Sequence, residues 1–132
     1  MRCLLDTHAF LWAALAPSQL SRRAKAVIED TQNLIGVSTV TFWEISLKFA
    51  LGKLELEGVL PDELPAVAVQ MDMTIEPLVV EDAATYHRLT RAVHKDPFDR
   101  MIVWQSLRRQ WSLISADRQL DAYRALGLDL VW

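Results

Sequence analysis

Five short apolar runs, Arg2–Leu5, Asn33–Val37, Met73–Pro77, Ser112–Ser115 and Asp129–Trp132, restrict the fold more than any other feature of this chain. Between them lie longer stretches in which apolar residues return at the 3.6-residue spacing of a helix. These are Thr7–Ala16, Ser21–Thr31, Thr39–Leu51, Pro61–Met71, Glu81–Val93, Pro97–Gln110 and Arg118–Leu126. The punctuation agrees with the periodicity. Pro17 stops the first stretch, Gly52 the third and Gly127 the last, while Pro97 stands at a first-turn position where its missing N–H costs nothing. Strands alternating with helices predict βαβ units and a mostly parallel sheet covered on both faces. In such a doubly wound sheet the ligand crevice lies outside the carboxyl ends of the strands, where the strand order reverses.

Composition removes several classes. The chain has 132 residues, 52% hydrophobic and including five Trp, which is one domain (1–132) with enough apolar mass for a core and too much for disorder. No apolar run approaches the ~20 residues that span a bilayer, and the opening MRCLLDTHAF is charged too early for a secretory signal. The single cysteine, Cys3, forms no internal disulfide, and no Cys/His cluster offers a zinc site. A soluble cytoplasmic protein is the expectation. Acids outnumber Lys plus Arg by 17 to 14, a formal charge of −3. A polyanionic substrate would therefore need bound cations or locally concentrated positive charge to offset the carboxylates.

Four acids fall where the sheet would put its crevice. Asp6 follows the first strand, and Asp117 follows the strand in LISA. Glu44 lies on the helix reached from Gly36-Val37-Ser38, and Asp99 in the first turn of the helix opened by HKDPFDRMIVWQ. A right-handed parallel topology starts each of these helices on the strand-end rim. Taken singly, each acid has a structural use. Asp6 and Asp117 suit helix N-caps, Asp96 a cap ahead of Pro97, and Asp99 the positive end of a helix dipole. Glu44 pairs with Lys48 at i, i+4, yet lies within about 60° of Val40, Leu47 and Leu51 on a wheel of about 100° per residue, beside an apolar stripe. Taken together, the four would repel, and a hard cation such as Mg²⁺ or Mn²⁺, which takes oxygen ligands, relieves that repulsion. A cation held by carboxylates with open positions performs phosphodiester hydrolysis.

LLDTHAFLW, TFWEIS, HKDPFDRMIVWQ and LISAD, in that order and along the whole chain, resemble the signature of PIN-domain ribonucleases, and more narrowly of VapC-like toxins from toxin–antitoxin pairs. The resemblance implies a Rossmann-like three-layer α/β/α fold with a mostly parallel sheet of about five strands. It further implies Mg²⁺- or Mn²⁺-dependent endonucleolytic cleavage of RNA, a homodimer, and inhibition by a cognate antitoxin. Carried over by position, it makes Asp6 and Asp99 the principal metal ligands, completed by Glu44 and Asp117, with Asp96 left to the cap. Thr7 and Ser115 would orient a carboxylate, water or phosphate, and Lys48 and Arg100 would meet a phosphate or pair with the same acids. Many relatives carry a further acid two residues past the last motif Asp, where this chain has Gln119.

Outside the acids, Arg22, Arg23, Lys25, Arg108 and Arg109 suit solvated faces, and His8 and His94 are candidate bases that metal-assisted hydrolysis does not require. Phe10, Leu11, Trp12 and Leu15, with Phe42, Trp43, Leu47 and Phe49, supply the core and a surface for a second copy or an antitoxin helix. Two other functions compete. A phosphotransfer domain would be phosphorylated on Asp6, but it lacks an acid two residues later, and Asp117-Arg118 stand where a Lys would follow the late strand. A non-catalytic binding module would use all the acids as caps and would not respond to Mn²⁺.

Overall fold

The computed structural model describes residues 1–90 and 96–132. The apolar runs become five parallel strands: β1 (Arg2–Leu5), β2 (Leu34–Ser38), β3 (Thr74–Glu76), β4 (Ser112–Ile114) and β5 (Leu130–Val131). They form one sheet in the order β3-β2-β1-β4-β5. The chain thus builds outward from β1 to one side and returns to the other, which places the reversal of strand order between β1 and β4. The register pairs Leu5 with Val37 on one side and with Ile114 on the other, so these strands end at one level.

Side-chain alternation along β1 separates two cores. Cys3 and Leu5 join Phe10, Ala24, Leu64 and Ala68 on one face, from α1 (Thr7–Leu15), α2 (Arg22–Glu29) and α4 (Leu64–Gln70). Leu4 points to the other face, against Ile102 and Val103 of α6 (Pro97–Arg109), Leu120 and Tyr123. Helix α3 (Thr39–Ala50) serves both, through Ile45 and Val40. The result is a three-layer α/β/α sandwich. Gly36, in the middle of β2, leaves no room for a side chain. A Cβ there would stand 2.9 Å from Glu76 Cγ and 3.0 Å from the Trp111 ring.

Three expected helices differ, the least of them Pro61–Met71, which opens as a 3₁₀ turn, Pro61–Glu63, before α4. The stretch Glu81–Val93 yields α5 (Val80–Thr85) and then a single 3₁₀ turn, Tyr86–Arg88. The Arg100 guanidinium takes the carbonyls of Leu89 (3.2 Å) and Thr90 (3.3 Å), which a continuing helix would have given to its own amides. The end of that expected helix and His94 lie outside the described residues. Arg118–Leu126 winds as 3₁₀, closed by i→i+3 bonds such as Gly127 N–H to the Arg124 carbonyl at 3.0 Å. Among the described residues no helix is long and apolar enough to cross a membrane.

Candidate metal centre

The ends of β1, β2 and β4 share one rim, and the first polar residues beyond them build the site. Asp6 is tied to the end of β4 by its own amide, which donates to the Ile114 carbonyl at 3.1 Å. Its carboxylate caps α1, accepting from Ala9 N–H at 2.8 Å. Beyond β4, the Ser115 hydroxyl accepts from Asp117 N–H at 3.0 Å, and Asp117 in turn caps the 3₁₀ turn through Gln119 N–H at 2.9 Å. Asp96 caps α6 through Phe98 N–H at 2.9 Å, so Asp99 enters the first turn. Glu44 rises from the second turn of α3 and is almost fully buried. The Thr7 hydroxyl donates to its Oε1 at 2.6 Å, and the Lys48 ammonium holds Oε2.

Two groupings result, and Asp99 belongs to both. Asp6, Asp99 and Asp117 line one pocket with His8, Trp12 and Ala116. Carboxylate oxygens of Glu44, Asp96 and Asp99 lie within 4.8 Å of one another. Opposed ligands of an octahedral Mg²⁺ stand about 4.2 Å apart. Adjacent ligands stand about 3.0 Å apart, so a trio bounded by 4.8 Å would draw together to close on such an ion. The donors are all carboxylate oxygens, with no sulfur or imidazole among them, as Mg²⁺ or Mn²⁺ prefers. The residues present fit the ion that the resemblance implies.

The charges agree. Burial pushes the Asp6 carboxyl above the usual carboxylate range, and the nearby Asp117 adds to this; hydrogen bonds from Ser115 and Ala9 and the neighbouring His8 only partly oppose it. Lys48 is partly desolvated, which alone would lower its pKa, but the bond to Glu44 and the charges of Glu44, Asp96 and Asp99 hold the ammonium above its ordinary value. Lys48 also stands 3.9 Å from Asp96. Lys48 thus serves the edge of a centre carrying several carboxylates.

The structure brings Asp6, Asp99 and Asp117 to one pocket and Glu44 to Asp99. It also gives Asp96, expected only as a cap, a second place within the acid cluster. The D-P-F-D spacing contained that signal, since a cap and a first-turn residue three positions later share a helix face. Thr7 and Ser115 contact Glu44 and Asp6 respectively. Arg100 is engaged elsewhere, by the Tyr86 hydroxyl at 3.0 Å, the Tyr123 hydroxyl at 2.9 Å and two backbone carbonyls. Arg108 and Arg109, expected on a solvated face, instead reach the buried Asp82, and Arg109 also stands 3.8 Å from Glu76. The acid at Asp82 draws them inward, and nothing in their own helix pattern announces it.

Comparison with known proteins places this geometry in context. A family model described as the PIN domain matches residues 3–126. No curated protein sequence matches the chain. Among solved structures, VapBC2 from Rickettsia felis, bound to a DNA fragment from its promoter, is similar with a TM-score of 0.63 at 13% identity, over 98% of this chain and 97% of that one. VapBC-5 from Mycobacterium tuberculosis, a member of the VapBC family of toxin–antitoxin systems, gives 0.61 at 17% identity, over 98% and 96%. FitAcB from Neisseria gonorrhoeae gives 0.62 at 21% identity, over 97% and 95%. At these identities the likeness to solved structures concerns the fold.

Proposed function

The chain belongs to the PIN-domain family, and from that premise we propose that it is a Mg²⁺- or Mn²⁺-dependent endoribonuclease acting as the toxin of a toxin–antitoxin pair. The observation that carries this reading is the position of Asp99, which shares a pocket with Asp6 and Asp117 and a cluster of oxygens within 4.8 Å with Glu44 and Asp96. Asp6, Glu44, Asp99 and Asp117 hold the metal, and Asp96 supports them while capping α6. When bound, the cation supplies Lewis acidity toward the phosphodiester and a nucleophile drawn from water at neutral pH.

The protein's own part is positioning. The Thr7 hydroxyl fixes one oxygen of Glu44 and Lys48 the other, so the carboxylate cannot rotate freely. Ser115 and the Ala9 amide do the same for Asp6. Because Asp6, Asp96 and Asp117 cap helical turns and Asp99 sits in the first turn behind Asp96, their positions are set by backbone and not by flexible side chains alone. Lys48, already beside Glu44 and Asp96, lies close enough to the cluster to meet a substrate phosphate.

Partner and assembly belong to the same proposal. Solved structures with this fold include toxin–antitoxin complexes. On α3 and at its C-cap, Trp43 (61% exposed) and Leu51 (59%), with Leu47 between them, present apolar area suited to an antitoxin helix or a second copy of the chain. A homodimer acting in the cytoplasm completes the reading. The test is incubation of purified, antitoxin-free protein with a mixture of defined RNAs, followed by sequencing of product ends. Discrete cleavage with Mg²⁺ or Mn²⁺, abolished by chelation, is expected. Intact RNA with both ions would overturn the proposal.

A further inference from the structure

The pocket that contains Asp6, Asp99 and Asp117 does not end at the acids. A second pocket shares its Ala116–Asp117 wall and is lined by Arg23, Arg118 and Arg124, with Asp121, Leu130 and Trp132. Three guanidinium groups from two separate elements, α2 and the 3₁₀ turn after β4, therefore face the space next to the candidate metal centre. Arg124 is paired with Asp121 at 2.8 Å, whereas Arg23 and Arg118 make no ion pair or hydrogen bond among the described residues. Aromatic rings connect the two pockets. His8 and Trp12 line the first and Trp132 the second, with centroids 5.7 Å apart from His8 to Trp12 and 5.6 Å from Trp12 to Trp132. Both tryptophans are only half-buried and His8 is exposed.

We propose that this second pocket is the substrate track, in which Arg23 and Arg118 hold backbone phosphates of single-stranded RNA beside the scissile bond while Trp132 and Trp12 stack its bases. The proposal rests on the nuclease reading and deepens it by naming the residues outside the acid cluster, Arg23, Arg118 and Trp132, that hold and position the strand. Its physical basis is the pairing of fixed positive charge with aromatic faces. Unpaired bases offer rings for stacking, and phosphates seek guanidinium donors. A duplex keeps its base faces stacked internally and cannot use Trp132. Positive charge concentrated here also answers how a chain of net charge −3 approaches a polyanion.

The test measures binding apart from cleavage. A fluorescein-labelled single-stranded oligoribonucleotide, and a duplex of the same sequence, are titrated with the full chain in Ca²⁺ or EDTA, with anisotropy and tryptophan fluorescence as readouts. The single strand is expected to bind about tenfold or more tighter than the duplex and to quench tryptophan emission. Arg23→Ala with Arg118→Ala, both at exposed positions, should weaken binding about tenfold and flatten the slope of log K against log salt by about 1.4, the value for two lost phosphate contacts on a single strand. Trp132→Ala should weaken binding by about tenfold without changing that slope. Arg22→Ala, on the same helix but outside the pocket, should change affinity less than about twofold. Duplex binding as tight as single-strand binding, or an unchanged salt slope in the double arginine variant, would overturn the track. If the wild-type protein still cleaves RNA in that case, the nuclease reading stands alone. If it neither cleaves nor binds RNA, both fall.

Discussion

Asp82 and Asp6 invite comparison, because both are buried, both cap helices that follow strands of the same sheet, and their protonation is pushed in opposite directions. Asp82, in the first turn of α5, accepts from Val79 N–H at 3.1 Å and is held by Arg108 and by Arg109 at 3.2 Å. Burial alone would raise its pKa, yet Val79, Arg109 and Arg108 outweigh burial, and the carboxyl sits below its ordinary range. Asp6 also accepts a cap amide, but burial outweighs that bond and the help of Ser115 and His8, the neighbouring Asp117 adds to the shift, and its carboxyl sits above the ordinary range. At the Asp82 end the chain provides its own counter-charges. At the centre of the sheet it gathers acids, with Lys48 at their edge. The edge site is neutralised by the folded protein itself, while the central site is a cluster of acids that could hold a cation.

The sharpest way to break this contrast is to neutralise one acid in each region. Asp6→Asn and Asp99→Asn should lower RNA cleavage by about a thousandfold or more, the scale on which a metal centre stabilises a transition state. Both variants should keep wild-type circular dichroism, since removal of one charge relieves repulsion at the rim. Cleavage retained in both would end the metal assignment. Asp82→Ala should do the reverse. By leaving Arg108 and Arg109 without their buried partner, it should cost about 3 kcal/mol of stability in urea unfolding, with far less effect on catalysis by the protein that remains folded. A large catalytic loss in Asp82→Ala at unchanged stability would erase the division between the regions.

The central site was more legible in the sequence than the edge site, for a physical reason. Strand ends carry acids at Asp6 and Asp117, and the parallel alternation of elements places such ends on one rim, so pattern alone brings the acids together. Asp96 was legible only in part, because a cap and a ligand are the same residue type in the same place. The Asp82 cluster was not legible. Arg108 and Arg109 stand in a helix whose charged end reads as solvated, and their partner lies on another helix 26 and 27 residues earlier. Long-range pairing of that kind has no period. The stretch Glu81–Val93 shows the same limit, since the bonds from Arg100 to Leu89 and Thr90 that accompany the break after α5 depend on a residue from α6.

A smaller effect sharpens the comparison by adding the missing charge. Millimolar Mn²⁺ or Mg²⁺ should raise the unfolding midpoint, and at a hundred times the dissociation constant the gain is about 2.7 kcal/mol. Asp99→Asn should abolish the gain because Asp99 belongs to both acid groupings. Asp82→Asn should leave it in place, measured from a lower starting point. Equal metal responses in the two variants would mean that the ion binds somewhere other than the rim.

The smallest effect is a dependence on acid that only the edge site should show. Because the folded Asp82 carboxyl lies below its unfolded value of about 3.9, the unfolded chain takes up its proton first as pH falls. The stability contributed by the Asp82 cluster is therefore fully present above about pH 4 and is lost as pH drops through the folded value. Asp82→Asn has no such proton to take up, so its stability should fall less steeply with acidity over that window than the wild type's. Urea midpoints from pH 5 downward, in chelator so that the rim holds no ion, separate the cases. Parallel curves for the two proteins would mean that Arg108 and Arg109 do not hold the Asp82 charge, and the contrast between a self-neutralised acid and a cation-seeking one would lose its first half.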